Sequence, residues 1–236
     1  MFGYALLDWD NTLHKGFTIV NWMKYLCEKQ IIKQKHYDEL LEQMKLYGGD
    51  KISYGQLNDK VALIYAKSLI GISVPVIKNA AHDFCLRDKD IYSFTRNMVR
   101  ILKENRIEIL IISGSPQMLL LEYSKLLGVD AVYGLIIERK EGYYTGNIKR
   151  NYGAEKSKIV QEISATKGIG PIFALGDSEA DAPMIKSAKY GCFVNNQTGS
   201  ITYNNKLIGF TSSIVEVMKN IGLATMKYVE NEVILK

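Results

Sequence analysis

Short apolar runs alternate with amphipathic stretches along most of this chain. The runs stop abruptly at polar residues, which is typical of buried parallel strands, and the stretches between them have helical spacing. The predicted strands are Met1–Leu7, Ile107–Ile112, Ile172–Leu175 and Tyr190–Val194. The predicted helices are Ile91–Asn105, Pro116–Leu127, Glu155–Lys167 and Glu179–Ala188. Strands that alternate with helices predict an α/β fold with a doubly wound, mostly parallel sheet.

Two segments depart from this alternation. Residues from about Lys15 to Arg87 contain no convincing strand but three stretches with helical spacing, so we expect a helical module inserted after the first strand. Further along, Leu135–Ile137 and Tyr143–Ile148 flank a glycine-containing turn, which predicts a β-hairpin. Val229–Leu235 could form one more short strand near the C-terminus.

The composition is that of a globular protein. Of 236 residues, 47% are apolar and 23% are charged, and the longest apolar run, counting glycine, has seven residues. A membrane span needs about 20, so we expect no contact with a membrane. The formal charge of +5 is not gathered into a basic block; it suits an anionic small molecule better than a nucleic acid.

The cysteines and the N-terminus indicate the cellular compartment in which the protein is expected. Three cysteines, an odd number without C-x-x-C spacing, argue against a disulfide framework or a thiolate metal site. The N-terminus lacks a basic patch and reaches Asp8 too early for a secretory signal. We therefore expect a cytoplasmic protein, and the sequence leaves its oligomeric state open.

Two aspartates directly follow the first predicted strand, in the sequence Asp8-Trp9-Asp10-Asn11-Thr12. Residues two apart in an extended chain point the same way, with Cα atoms about 7 Å apart, so both carboxylates would face out from the strand end. Such carboxylates repel each other unless a cation or a proton lies between them. On its own, the pattern fits a solvated turn about equally well.

A second acidic stretch, Gly176-Asp177-Ser178-Glu179-Ala180-Asp181, follows the third predicted strand. Parallel strands share the edge at which their carboxyl ends lie, so Asp177 and Asp181 would come close to Asp8. Converging carboxylates suit Mg²⁺, which prefers oxygen ligands and often also binds a substrate phosphate. The sequence has no His or Cys cluster for a softer metal. Ser178 or Asp177 could instead simply cap the next helix.

Two weaker signals come from a serine and a lysine. The sequence Ile112-Ser113-Gly114-Ser115 lies at a predicted strand-to-helix turn, where a hydroxyl and free backbone N–H groups can hold an anion. A capping serine is the commoner explanation of such a turn. Lys156, or alternatively Lys158, stands at the start of a predicted helix. Most lysines are merely solvated, so this one matters only through its order among the other motifs.

In this order, the four pieces resemble the haloacid dehalogenase-like phosphohydrolase superfamily. Its pattern is an N-terminal D-x-D-x-T, a strand-ending serine, a lysine and a G-D-x-x-x-D. The matching positions are Asp8 to Thr12, Ser113, Lys156, and Gly176 to Asp181. The chain is most similar to the phosphoserine-phosphatase-like branch, which has a helical cap between the first two motifs. The resemblance implies an α/β core of residues 1–14 and 88–236 and a cap of residues 15–87.

The resemblance also implies a Mg²⁺-dependent phosphatase that forms an aspartyl-phosphate. Asp8 would be the nucleophile, and Asp10 would be the general acid for the leaving alcohol and then the general base for water. Asp8, the backbone carbonyl of Asp10, and Asp177 would hold the metal ion. Ser113, the Gly114 amide and Lys156 would contact the phosphoryl oxygens. Three residues would support the turn, the metal ligands or the lysine: Thr12, Ser178 and Asp181.

Other functions would use the same residues. The carboxylate at Asp10 favours a phosphatase or a phosphomutase, because dehalogenases and cation-pumping ATPases of this superfamily lack it. A phosphomutase or phosphotransferase would pass the aspartyl-phosphate to a sugar or an alcohol instead of water. A non-catalytic metabolite-binding module is a third interpretation, but it would not need a nucleophile, an acid, a lysine and a metal site together. In each case, we expect a small phosphorylated metabolite as the partner.

The resemblance weakens where the substrate would be selected. Phosphoserine phosphatases carry a glutamate for the substrate ammonium shortly after the first motif, and Phe17 aligns with it. They also carry a cap arginine, whereas this chain reads Asn58-Asp59-Lys60, where Lys60 could partly substitute. We therefore expect a substrate other than phosphoserine. Four residues are candidates for the cap side of the pocket: His14, Lys15, Phe17 and Trp22. The two aromatic ones could instead pack the cap's own core.

Overall fold

The computed structural model describes residues 3–195, 200–203, 206–209, 217–218 and 222. The possible strand Val229–Leu235 lies outside these described residues. The strands are β1 Gly3–Leu7, β2 Ile107–Pro116, β3 Ala131–Lys140, β4 Tyr143–Asn151, β5 Phe173–Gly176, β6 Tyr190–Asn195, β7 Ser200–Tyr203 and β8 Lys206–Gly209. The helices are α1 Thr18–Glu28, α2 Gln34–Gly48, α3 Tyr54–Ser68, α4 Val74–Arg87, α5 Ser93–Glu104, α6 Gln117–Leu127, α7 Lys156–Lys167 and α8 Ala182–Ser187.

The strands form one sheet in the order β4-β3-β2-β1-β5-β6-β7-β8. The five central strands pair in parallel: β3, β2, β1, β5 and β6. Strands β4, β7 and β8 pair antiparallel toward the two edges. The predicted doubly wound, mostly parallel α/β fold is confirmed. The central strand is β1, which pairs with β2 on one side and with β5 on the other.

Helices cover both faces of the sheet because the central strands are apolar on both faces. In β1, Tyr4 and Leu6 join an apolar cluster with residues of α7 and α8. Ala5 and Leu7 point the other way, into a larger cluster with residues of α5 and α6. This alternation follows from the two-residue period of an extended strand. Residues of α1 to α4 belong to the larger cluster as well, so the helices inserted after β1 pack continuously with the core.

The segment between β1 and α5 contains four helices, one more than the sequence predicts. The missed helix, α4, begins at Val74 and has Pro75 in its first turn. Proline is tolerated there because the first N–H groups of a helix have no intrahelical partner, so Pro75 does not act as a helix breaker. The apolar side of α4 packs against α6. We call residues 18–87, with α1 to α4, the helical segment.

Two predicted boundaries differ from the structure. Strand β2 does not end at Ile112 but continues to Pro116, with an irregular register against β3 between these residues. Ser113 therefore lies within the extended end of β2, and not in a strand-to-helix turn as predicted. The predicted helix Glu179–Ala188 is a single 3₁₀ turn, Glu179–Asp181, followed by α8.

The predicted hairpin is present as β3 and β4, but β3 has a second role. Its first residues pair in parallel with β2, and its last residues pair antiparallel with β4. None of the helices in the described part of the chain combines the length and apolarity that a membrane crossing demands.

Gly134 allows β3 to pass close to the start of α6. A Cβ atom at this position would lie 2.7 Å from the Ser115 carbonyl oxygen and 2.8 Å from Leu120 Cδ1. We expect Gly134→Ala to lower the free energy of unfolding by about 1–3 kcal/mol, because the strand has to move away from the helix. The measurement is the urea midpoint of unfolding, followed by circular dichroism.

Gly48→Ala is the matched control. Gly48 is the last residue of α2, and a Cβ atom there would meet no atom within 4 Å. This variant should be neutral or more stable by up to about 1 kcal/mol, because alanine favours the helix. Equal urea midpoints for the two variants would contradict the close packing at Gly134.

Candidate active site at the carboxyl ends of the strands

A tight turn after β1 directs Trp9 into the core and leaves the flanking carboxylates at the sheet edge. The Trp9 side chain is fully buried. Its carbonyl oxygen accepts three backbone N–H groups at 2.9–3.2 Å, from Thr12, Leu13 and His14. Asn11 has a φ of 58°, a left-handed conformation that asparagine tolerates better than most residues. As a result, the Thr12 hydroxyl lies beside Asp8 and donates to its Oδ2 at 3.2 Å.

Lys156, the first residue of α7, supplies the ammonium group of this edge. Its Nζ donates to Asp8 Oδ1 at 2.6 Å and also to Asp181 Oδ1. The Lys156 side chain is only 6% exposed, whereas that of Lys158 is 67% exposed and lies 4.0 Å from Glu162. The structure therefore brings Lys156, and not Lys158, to the carboxylates.

Asp181 links the lysine to the loop after β5. Its Oδ2 accepts the backbone N–H groups of Asp177 and Ser178 at 3.1 and 2.9 Å, and the Ser178 hydroxyl at 2.8 Å. Its Oδ1 accepts from Lys156. Both oxygens of this fully buried carboxylate are engaged, so Asp181 holds the loop and the lysine in place.

Asp177 lies opposite Asp8 across a short gap. The Thr12 hydroxyl is 3.2 Å from Asp8 Oδ2 and 3.4 Å from Asp177 Oδ1, so it bridges the two carboxylates. One oxygen from each of Asp8, Asp177 and Asp181 lies within 4.8 Å of the others. Three carboxylates from distant parts of the sequence therefore converge around a single lysine.

Asp10 faces the other side of the edge and is fixed by two partners. Its Oδ1 accepts the backbone N–H and the hydroxyl of Thr18 at 2.8 and 2.6 Å. Its Oδ2 accepts the Ser115 hydroxyl at 2.8 Å. Asp10 thus acts as a cap for α1, since the cap residue Phe17 makes no side-chain cap hydrogen bond. The helix N-terminus in turn stabilises the negative carboxylate.

Thr18 and Ser115 were not predicted as site residues. A weak signal existed for Ser115, because it follows Ser113-Gly114 at the end of a predicted strand. The sequence has no comparable signal for Thr18, because its contact with Asp10 depends on how the chain enters α1. The Thr18 hydroxyl also accepts the Trp9 indole N–H at 2.8 Å, which ties the turn to the helix.

Ser113 and Gly114 lie beside Asp10 in the extended end of β2. The Ser113 hydroxyl is buried and accepts the backbone N–H of Ser115 at 3.1 Å. Gly153, just before α7, packs directly on this segment: a Cβ atom there would lie 2.3 Å from Gly114 N. The close approach requires glycine at 153. It holds the residues before Lys156 against the end of β2 that contains Ser113.

Burial and mutual repulsion perturb the charged groups. Burial, followed by the charge of Asp181, raises the pKa of Asp8 well above its usual value, although Lys156 opposes this. Burial and Asp181 likewise raise the pKa of Asp177 to about 6. Burial alone would lower the pKa of Lys156, but the charges of Asp8 and Asp181 outweigh it and raise that pKa. Three carboxylates thus share one ammonium group, which leaves the cluster short of positive charge.

This cluster fits a divalent cation. Asp181 accepts four hydrogen bonds from Lys156 and the loop after β5, whereas Asp8 Oδ2 and Asp177 Oδ1 flank the Thr12 hydroxyl at 3.2 and 3.4 Å and would be the oxygens that face a metal ion. Oxygen ligands in a negative site suit Mg²⁺. A bound cation would also relieve the repulsion that raises the pKa values of both carboxyls.

Three of the four predicted pocket residues do not line the pocket beside Asp10 that is described below, which corrects the expectation that they face the substrate. His14 is fully buried under the turn, where its Nε2 lies 3.0 Å from Asp88 Oδ2. Lys15 is exposed, with its ammonium 5.8 Å from the centre of the Tyr92 ring. The Trp22 indole donates to the Tyr65 hydroxyl at 3.2 Å in the core of the helical segment.

Phe17, the fourth candidate, does line a pocket beside Asp10. The pocket lies between the Gly114-Ser115 segment of β2 and the helical segment, and part of it is open to solvent. Its apolar wall includes Phe17, Met44, Tyr54, Leu57, Val61 and Leu135. Lys60, which could have substituted for an arginine, is exposed and is not part of this wall.

A family model described as haloacid dehalogenase-like hydrolase matches residues 5–186 of the chain. A phosphoserine phosphatase from Archaeoglobus fulgidus is 28% identical over 204 residues, which cover 78% of this chain and 57% of that protein. The chain thus spans little more than half the length of this relative. A phosphoserine phosphatase from Wolinella succinogenes is 25% identical over 194 residues, which cover 78% of this chain and 84% of that protein.

Solved structures support the same fold. A substrate-bound phosphoserine phosphatase complex matches with a TM-score of 0.57 and 19% identity, over 81% of this chain and 84% of that one. A protein of unknown function from Bordetella pertussis matches with a TM-score of 0.63 and 15% identity, over 81% of this chain and 88% of that one. At these identities, the likeness concerns the fold alone.

The repulsion at Asp177 predicts an effect on stability. We expect Asp177→Asn to raise the unfolding temperature of the metal-free protein by about 2–6 °C at about pH 8, because it removes a buried, repelled charge. Since the folded-state pKa of Asp177 lies near 6, above its unfolded value, the wild type gains stability as the pH falls through 6. The advantage of the variant should therefore shrink below about pH 6.

Thermal unfolding with and without Mg²⁺ provides the measurement. Mg²⁺ should stabilise the wild type more than Asp177→Asn, because the variant lacks one ligand. Asp59→Asn makes the same chemical change at an exposed position of α3 and should leave both values unchanged. An unfolding temperature for Asp177→Asn below that of the control would show that the carboxylate is not under repulsion.

Proposed function

The chain belongs to the haloacid dehalogenase-like hydrolases, and we propose that it is a Mg²⁺-dependent phosphatase that hydrolyses a small phosphomonoester through an aspartyl-phosphate. The observation that carries this proposal is the contact between Lys156 Nζ and both Asp8 and Asp181 beside Asp177. It joins a nucleophile, a cation and a candidate metal site within one buried edge. The names of the two curated relatives agree with a phosphatase acting on a small substrate.

Asp8 is the proposed nucleophile. One of its carboxylate oxygens attacks phosphorus, the bond from phosphorus to the alcohol oxygen breaks, and an aspartyl-phosphate forms. Asp8, Asp177 and the Asp10 carbonyl would hold a Mg²⁺ ion, whose positive charge would offset the repulsion between a carboxylate and a phosphate dianion. Lys156 adds a second positive charge and keeps Asp8 oriented.

Asp10 is the proposed general acid and base. It gives a proton to the leaving alcohol oxygen, and in the second step it takes one from the water that attacks the aspartyl-phosphate. Inorganic phosphate leaves, and Asp8 is restored. The hydrogen bonds from Thr18 and Ser115 keep the Asp10 carboxyl group at the entrance of the pocket, where the alcohol oxygen would lie.

The remaining residues bind and position. Ser113 and the Gly114 amide, on the segment held by Gly153, would contact phosphoryl oxygens together with Lys156. Thr12, Ser178 and Asp181 keep the carboxylates and the lysine in place. We further propose that the helical segment acts as a cap over residues 1–14 and 88–236, because it supplies most of the pocket wall.

The lining of the pocket favours water over a sugar phosphate as the acceptor of the phosphoryl group. A phosphomutase has to bind a molecule that carries two phosphates, and the described residues that line the pocket include no lysine or arginine. A second phosphate would therefore lose its hydration without a cationic partner. This observation supports hydrolysis as the proposed outcome.

Asp8→Asn should abolish catalysis, because an amide does not form the acyl-phosphate. We expect the rate of p-nitrophenyl phosphate hydrolysis with Mg²⁺ to fall at least about a thousandfold, and a chelator to have a similar effect on the wild type. Asp50→Asn, at an exposed position, is the matched control and should keep full activity. Undiminished turnover by Asp8→Asn would refute the assignment of Asp8 as the nucleophile.

Phosphorus NMR with added alcohols separates hydrolysis from phosphoryl transfer. Transfer to the alcohol faster than hydrolysis would contradict a phosphatase.

Asp10→Asn should depend on the leaving group. An alkyl alkoxide needs a proton as it leaves, whereas p-nitrophenolate is stable without one. We expect the formation of the aspartyl-phosphate, measured as the burst of product in rapid-mixing kinetics, to fall at least about a hundredfold for benzyl phosphate. For p-nitrophenyl phosphate it should fall much less. Equal losses for both esters would show that Asp10 does not protonate the leaving group.

A further inference from the structure

The pocket next to Asp10 has an unusual charge balance for a site that would hold an amino acid. Among the described residues that line it, Asp10 is the only one with a charged side chain. Both of its oxygens already accept hydrogen bonds, from Thr18 and Ser115. A carboxylate brought into this pocket would lose its water without gaining a cationic partner, and an ammonium would find only Asp10, whose oxygens are already engaged, so both groups disfavour binding.

Aromatic rings form one wall of the same pocket. Phe17 stacks on Tyr54 with ring centres 6.3 Å apart, and the Tyr47 ring meets each of them edge-on at 6.2 Å. Phe17 and Tyr54 line the pocket, and Tyr47 supports them from behind. Rings that brace one another in this way form a preformed apolar surface, which suits a flat or aliphatic group.

The position of Tyr54 is fixed by the start of α3. Ser53 and Gln56 form a reciprocal capping box, in which Ser53 N donates to Gln56 Oε1 at 2.9 Å and Gln56 N donates to Ser53 Oγ at 3.3 Å. Tyr54 is the first residue of the helix, so this cap fixes the backbone from which its ring projects, and the ring contacts with Phe17 and Tyr47 hold the ring itself. Burial raises the pKa of the Tyr54 hydroxyl, so the wall stays uncharged at neutral pH.

The Gly114-Ser115 segment of β2 and the apolar wall of the pocket meet at Asn58. Its Oδ1 lies 2.8 Å from where a Cβ atom on Gly114 would be, so the helical segment touches the Gly114 loop directly. A phosphoryl group at Ser113 and Gly114 would therefore have its ester oxygen near Asp10 and its alcohol group against the rings. The pocket is thus placed where the leaving alcohol must lie.

We propose that this pocket binds the alcohol part of the substrate and selects phosphomonoesters of uncharged, apolar alcohols, aromatic ones above all, with Phe17 and Tyr54 as the residues that determine specificity. The proposal rests on the phosphatase function proposed above. It excludes phosphoserine as the preferred substrate, because the described lining offers no cation for its carboxylate and, for its ammonium, only Asp10, which the proposed mechanism uses to protonate the leaving oxygen.

The test compares esters whose alcohols leave with similar difficulty. Phenethyl phosphate, O-phosphoserine and phosphoethanolamine are all primary alkyl esters, so differences in kcat/KM report binding of the alcohol group. We expect the wild type to favour phenethyl phosphate over each of the other two at least about tenfold, a ratio typical of a hydrophobic pocket. A higher kcat/KM for O-phosphoserine or phosphoethanolamine would overturn the proposal.

Two substitutions at Phe17 test the wall itself. Phe17→Glu should lower the ratio of kcat/KM for phenethyl phosphate to that for phosphoethanolamine at least about tenfold, because a carboxylate repels the ring and pairs with the ammonium. Phe17→Leu should reduce the ratio less, since it removes only the ring. Phe84→Leu makes the same change in the core of the helical segment, outside the pocket lining, and should leave the ratio unchanged even if it lowers stability.

A binding measurement separates failure of this proposal from failure of the proposed function. If no ester, p-nitrophenyl phosphate included, is hydrolysed, the phosphatase function fails. Calorimetry with Mg²⁺ and phosphonates, which resist hydrolysis, then still tests the pocket. We expect phenethylphosphonate to bind more tightly than aminoethylphosphonate, and Phe17→Glu to reverse the order. The opposite order in the wild type would overturn the apolar pocket whatever the enzyme's activity.

Discussion

The constraint on which this site depends is a cluster of three carboxylates, two buried and one half-buried, that share one ammonium group. Asp8, Asp177 and Asp181 converge on Lys156, and one positive charge does not balance three negative ones. Burial makes the imbalance costly, because water does not screen the repulsion. The fold accepts this cost where chemistry requires charge, a common compromise at functional sites. A cation that entered the cluster would relieve repulsion and complete the proposed machinery at the same time.

The central place of β1 in the sheet makes this convergence possible. Asp8 follows β1, Ser113 lies near the end of β2 and Asp177 follows β5, and both β2 and β5 are neighbours of β1. Neighbouring strands lie about 4.8 Å apart, so side chains at their ends come within reach of one another. Lys156 arrives from outside this trio, because the β3–β4 hairpin returns the chain to the edge where α7 begins.

In the proposed mechanism, the helical segment supplies most of the surface that selects the substrate but none of the groups that react with the phosphate. Its first helix supplies Thr18, which fixes Asp10, and the residue just before that helix, Phe17, lines the pocket. Its third helix supplies Tyr54 and Asn58. The groups proposed to break the phosphate ester thus come from the sheet edge, whereas most of the surface facing the alcohol comes from helices inserted after β1.

The sequence by itself determined the α/β class, six of the eight described strands and the carboxylates after β1 and β5, because these depend on local periodicity and on which residues follow a strand. It did not predict β7 and β8. It missed α4, since Pro75 resembles a breaker when its place in the first turn is unknown. Only the tertiary structure decided that Lys156 and not Lys158 meets Asp8, that Thr18 and Ser115 hold Asp10, and that Trp22 packs in the core while Phe17 lines the pocket. The contacts of Lys156 and Ser115 join segments more than a hundred residues apart, and those of Thr18 and Trp22 depend on how the chain enters and packs α1. Spacing along the chain encodes neither.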